Sequence, residues 1–174
     1  MRLLDRAIRL VDALIALLGR CAAFTVIGII ATILIEMIAR GGFSRSQPWA
    51  NDVTAWLLAA LIFLGGPWAL ATGNFVRVDA LYDRFSARTR AWIDTVISTA
   101  LFALFCGTLL KFGWTFFARA YSVGETSANG NWGGPVWVAK GLLPLGAVLL
   151  ILAWISHLYH AWRGDRDETR EEGL

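Results

Sequence analysis

The sequence predicts an all-α integral membrane protein, and three observations carry that prediction. First, 57% of the 174 residues are hydrophobic and only 17% are charged, where soluble domains average about a quarter charged. Second, four runs contain no formal charge: 21–35, 53–75, 95–110 and 141–161. Runs of this kind approach the ~20 apolar residues that cross a ~30 Å hydrocarbon core. Third, the basic residues cluster on alternate connections between the runs, as they do around membrane spans. Such a composition excludes a soluble enzyme, a disordered chain and a disulfide-rich secreted domain. Continuous apolar runs also exclude an outer-membrane barrel, whose strands alternate.

The first span is read as 14–39. Arg2, Arg6 and Arg9 precede it like a signal peptide, but the apolar stretch runs on to Ile38 and no cleavage site closes it. Its approach is amphipathic: Leu4, Ala7, Ile8, Val11, Ile15 and Leu18 share one face. Gly41-Gly42 is read as its end. The second span is read as 48–72, opened by Pro48 in the first helical turn and interrupted by Gly65-Gly66-Pro67. Val78, Leu81, Tyr82 and Phe85 then fall at i, i+3, i+4, i+7. That spacing predicts a short amphipathic interfacial helix over 76–86. The third span is read as 91–118 and the fourth as 135–162, joined by a loop over 121–134 rich in Gly, Asn and Ser. A charged tail, 163–174, follows. The whole chain, 1–174, reads as one membrane domain.

Ten basic residues lie on one side of this topology (Arg2, Arg6, Arg9, Arg77, Arg84, Arg88, Arg90, Arg163, Arg166 and Arg170). Four lie on the other: Arg40, Arg45, Arg119 and Lys140. The positive-inside rule therefore places the N and C termini in the cytoplasm. The net charge of +3 reports topology and not nucleic-acid binding.

Little in the chain suggests chemistry. Cys21 and Cys106 are isolated in apolar runs, so neither a disulfide nor a zinc site is expected, and no metal. His157 and His160 share one helix at i, i+3, a spacing that cannot clamp the two faces of one haem. No nucleophile–base set or phosphate loop is present. No cofactor is expected, and the chain is read as not an enzyme. Glu36 and Arg40 read as an interfacial i, i+4 pair. Lys111, placed about two turns from the end of the third span, reads with Arg20 and Lys140 as a snorkelling cation. No charge is expected at the bilayer centre.

Several ordered segments carry a resemblance. Pro48-Trp49-Ala50-Asn51-Asp52 opens the second span and Phe63-Leu64-Gly65-Gly66 follows. Gly73 to Asp83 contains Val76-Arg77-Val78-Asp79. Gly124-Glu125-Thr126-Ser127, Pro135-Val136-Trp137 and Lys140 to Gly146 lead into the fourth span. Over roughly residues 10–160 the chain resembles the small membrane (DctQ-like) subunit of tripartite ATP-independent periplasmic (TRAP) transporters. The departures are Asn51 for the first of two acids and Phe75 for a polar residue before Val-Arg-Val-Asp.

The resemblance implies a multi-pass protein of the bacterial inner membrane without chemistry of its own. It implies a scaffold for a large elevator-type permease subunit, within a sodium-coupled importer of organic anions (carboxylates or sugar acids). The implied partners are that large TRAP permease subunit, a periplasmic substrate-binding protein and membrane lipids, with no nucleic acid. On this reading Asn51, Asp52, Gly65 and Gly66 contact the large subunit. Arg77, Asp79 and Asp83 form a cytoplasmic brace or contact lipid headgroups. Glu125, in the periplasmic loop, reaches the binding protein or sits in a simple connection. Two other classes stand beside it: a four-helix homodimeric proton-coupled exporter using Glu36, and a membrane anchor for a redox enzyme.

Overall fold

A computed structural model describes residues 2–73, 96–129 and 132–163. Among them are four helices, each long and apolar enough to cross a membrane, and no strand. They are α1 (Arg2–Phe43), α2 (Pro48–Ala71), α3 (Ser98–Ser122) and α4 (Val136–Arg163). The amphipathic helix read over 76–86 lies outside the described residues, as do the first residues of the third span and the tail beyond Arg163.

α1 is a single helix of 42 residues, roughly 63 Å at 1.5 Å per residue. It is about twice the thickness of a hydrocarbon core. The sequence expectation ended it at Gly41-Gly42. Instead both glycines stay helical, and Ser44 makes the turn with φ 51°. The N–H of Arg45 closes that turn on the Ala39 carbonyl at 3.1 Å. α2 begins as expected with Pro48 in its first turn, where a missing N–H is harmless.

The helices lie side by side in the order α1, α2, α4, α3. They form an open layer rather than a square bundle. α1 meets α4 weakly, and α3 packs almost wholly on α4. The two connecting turns gather at one end of the layer, the turn end. The start of α1 and the end of α4 meet at the other, the terminal end.

Small residues make the seams. Ile8, Ile15 and Ala22 recur at heptad spacing as the buried stripe of α1. Ala50, Ala120, Ala147, Ala153 and Cys106 are buried on the other helices. Water-driven burial is weak between apolar helices in lipid, so close backbone approach carries the packing. A Cβ at Gly19 would fall 2.4 Å from Trp68, and one at Gly146 2.6 Å from Phe63. Near the terminal end, Ile15, Leu70 and Ala153 form a cluster to which Phe102 of α3 adds, so all four helices contribute there. Elsewhere large apolar side chains face outward, Phe24 at 70% and Leu104 at 68% exposure among them.

The glycine seams give a direct check. Gly146→Leu forces α4 away from Phe63 and should destabilise the chain by about 1–3 kcal/mol. Gly66 has no atom within 4 Å of where a Cβ would lie, so Gly66→Ala should leave the detergent-solubilised Tm, followed by tryptophan fluorescence, unchanged.

Candidate functional site

The carboxylates of the described chain gather at the two ends of the layer. At the turn end, Glu36 fastens α1 to α2. Its Oε1 accepts from Arg40 Nη2 at 2.9 Å and from the Ser46 hydroxyl at 2.9 Å. Its Oε2 accepts the backbone N–H of Gln47 at 2.7 Å. The i, i+4 pair read from the sequence is present, and the turn residues complete it. A carboxylate with both oxygens engaged in this way is a fastener.

Asp52, one turn into α2, holds the distant α3–α4 loop. Asn129 Nδ2 donates to its Oδ1 at 2.6 Å and Trp132 Nε1 to its Oδ2 at 2.7 Å. Trp132 also packs on Trp56, ring centroids 5.6 Å apart. The loop is closed by an isolated bridge between Thr126 and Pro135. Gly133 supplies the positive φ of 66° that the reversal needs. Glu125, beside that bridge, pairs with Lys140 Nζ at 2.6 Å, tying the loop to the first turns of α4. The loop partners of Asp52 and Glu125 had no sequence signal, because the contacts join residues far apart in the chain.

The other predicted positions are placed as follows. Asn51 is exposed and lines an open groove of about 820 Å³ with Thr32, Ile33, Glu36 and Met37. Gly65 has only the Ala22 Cβ, 3.9 Å from where its own would lie, and Gly66 faces open space. Neither is a tight seam glycine among the described residues. Arg77, Asp79 and Asp83 lie outside the described residues.

The terminal end has its own clasp, between α1 and α4. Asp12 accepts from the Ser156 hydroxyl and pairs with His160 Nε2 at 2.9 Å. Asp5 accepts from the Tyr159 hydroxyl. His157 stacks on Trp154, with centroids 5.3 Å apart, and Trp154 stacks on Phe102 at 4.5 Å. The acidic positions of the amphipathic approach therefore face α4. Among the described residues no three metal-ligating side chains come together.

One residue is placed differently from the sequence reading. Lys111 was set two turns from a helix end. α3 continues to Ser122, so Lys111 stands about halfway along it, roughly 16 Å from that end. No described residue bonds or pairs with its ammonium.

The Asp52 anchor predicts a local effect. Asp52→Ala leaves the Trp132 and Asn129 donors without their acceptor, a loss of about 1 kcal/mol per hydrogen bond. Proteolysis of the loop over 121–134 should accelerate, tryptophan emission should shift red, and the Tm should fall by roughly 4–8 °C.

The sequence profile of the family described as "Tripartite ATP-independent periplasmic transporters, DctQ component" matches residues 29–164. No curated protein and no solved structure matches the chain significantly. The matched region takes in about the last third of α1, the Glu36 clasp and the Asp52-anchored loop, and begins beyond Asp5 and Asp12. With four membrane-spanning helices as its architecture, the chain belongs to the DctQ component family of tripartite ATP-independent periplasmic transporters.

Proposed function

We propose that this chain is the non-catalytic small permease subunit of a binding-protein-dependent importer in a bacterial inner membrane. In this reading it widens and anchors a large elevator-type permease subunit. That subunit moves an organic anion, a carboxylate or sugar acid, with sodium. A periplasmic binding protein delivers the anion on the side of the turn end, and the terminal end is cytoplasmic.

One observation carries the scaffold role. All five carboxylates among the described side chains are engaged within the chain: Asp5, Asp12, Glu36, Asp52 and Glu125. A transport path needs polar groups free to bind and release cargo near the midplane. Here the carboxylates stand at the ends of the helices and hold them together, and Lys111, midway along α3, faces outward and not into a cavity between the helices. The open layer leaves long apolar faces for lipid and for a larger partner. The excess of basic residues on the terminal-end side supports the cytoplasmic placement.

Within this role Asn51 and Gly66 offer surface to the large subunit, with Gly65 beside them and Asp52 shaping the loop above. Glu125 is 40% exposed and remains accessible to a binding protein while paired with Lys140. Arg77, Asp79 and Asp83 are the proposed cytoplasmic brace. The exporter alternative needs Glu36 free to cycle a proton, whereas three donors hold it.

The test is purification of the tagged chain from its own membranes in mild detergent. A large permease subunit should co-purify stoichiometrically, and deleting this chain should abolish organic-anion uptake. Arg77→Glu should reduce both complex yield and uptake, while Arg77→Lys preserves them. A stable homodimer with no partner would refute the scaffold role.

A further inference from the structure

Lys111 has no partner, and its depth can be read from the packing. Gly113 of α3 lies against Leu143 and Pro144 of α4, and Gly141 lies against Phe117. Lys111 is therefore level with Gly146, which packs on Phe63 of α2. On α1, Gly19 meets Trp68 and Gly28 meets Leu57, so Phe63 is level with about residue 23. That level is midway between Asp12 and Glu36, the two end clasps, which stand about 36 Å apart along α1. Lys111 thus sits near the middle of the bilayer.

Its face is exposed and points away from α4. α3 packs on α4 through Phe102, Cys106, Gly113, Phe117 and Ala120. Thr108, Lys111, Thr115, Arg119 and Ser122 follow helical spacing on the opposite side, and all five are exposed. Thr115 and Ser122 bond only to carbonyls of their own helix. Two cations and three hydroxyls therefore form a polar stripe along the turn-end half of α3. Exposed Leu104, Phe112 and Phe116 flank the stripe, whereas on α1 Phe24, Ile27, Met37 and Ile38, 62–70% exposed, have no exposed polar side chain between them.

Lipid suits the α1 face and not the α3 stripe. A cation at mid-bilayer is expensive unless it snorkels or meets a counter-charge. In a helix the Cα–Cβ bond leans toward the N-terminus, so Lys111 leans toward the terminal end. That end of α3 is roughly 20 Å away, beyond a four-carbon stem. Arg20 leans the same way from about 12 Å short of the Asp12 clasp, roughly 4.5 Å nearer that end than Lys111. A second copy of this chain offers no answer among the described residues, since every described carboxylate is already engaged.

We infer that the polar stripe of α3 centred on Lys111 is a docking seam for the large permease subunit, whose facing helix presents a carboxylate to Lys111 at mid-membrane depth. The inference rests on the scaffold reading and adds a contact separate from the α2 positions above.

The experiment places a benzoylphenylalanine crosslinker at Thr115 and, as control, at Ile27, and irradiates native membranes. Thr115 should crosslink to the large subunit, identified by mass spectrometry, and Ile27 to lipid alone. In parallel, Lys111→Glu should lower the large subunit retained on the tagged chain about tenfold, while Lys111→Arg retains it. If Lys111→Glu lowers the amount of inserted chain itself, the crosslink decides. Crosslinks from Thr115 only to lipid or to a second copy, or full retention with Lys111→Glu, would overturn the seam. A large subunit that co-purifies with wild type while Thr115 stays silent refutes the seam alone. Its absence from the wild-type purification refutes the scaffold reading.

Discussion

The architecture depends on carboxylates used as fasteners at the ends of apolar helices. Between the ends, apolar helices slide past one another with little preference, because lipid solvates them as well as they solvate each other. Glu36 fixes α1 against the start of α2 through Arg40, Ser46 and the Gln47 N–H. Asp52 fixes α2 to the loop between α3 and α4. Asp5 and Asp12 fix the start of α1 to the end of α4. These bonds set the register in which the glycine seams then meet.

That register gives a layer rather than a closed bundle. Gly19 against Trp68, Gly146 against Phe63 and Gly113 against Pro144 join the helices in a row. Among the described residues α1 also closes on α4 at the terminal end, and α1 and α3 each keep an exposed outer side. The edges differ in one respect: both present bulky apolar side chains, and α3 adds a stripe of three hydroxyls and two cations among them. An asymmetric sheet of helices suits a subunit that borders lipid on one side and another protein on the other.

Much of this was legible in the residues. Uncharged runs located all four helices, because the bilayer demands length and apolarity from each span on its own. Pro48 marked the start of α2, and the Glu36–Arg40 pair followed from helical spacing. The amphipathic approach showed which residues of α1 share a face, though not that Asp5 and Asp12 meet Tyr159 and Ser156. The glycines misled in part. Gly41-Gly42 looked like a helix end, yet the turn falls at Ser44, and the tight seams fall at Gly19, Gly113 and Gly146. A glycine's backbone freedom is visible in a sequence, but the neighbour that needs its missing Cβ is not.

By itself, then, the sequence determined the helix count, the class of protein and its family resemblance, since each follows from local composition and short motifs. Only the tertiary structure decided the order α1, α2, α4, α3, the partners of Asp12 and Asp52, and the level of Lys111 along the layer. Those depend on contacts between residues remote in the chain. A span boundary misjudged by one turn moves a lysine by about 5.4 Å along the bilayer normal. The packing of Gly113 on Pro144 and of Gly146 on Phe63 fixes that level relative to the other helices, because small residues let the backbones meet at one register only.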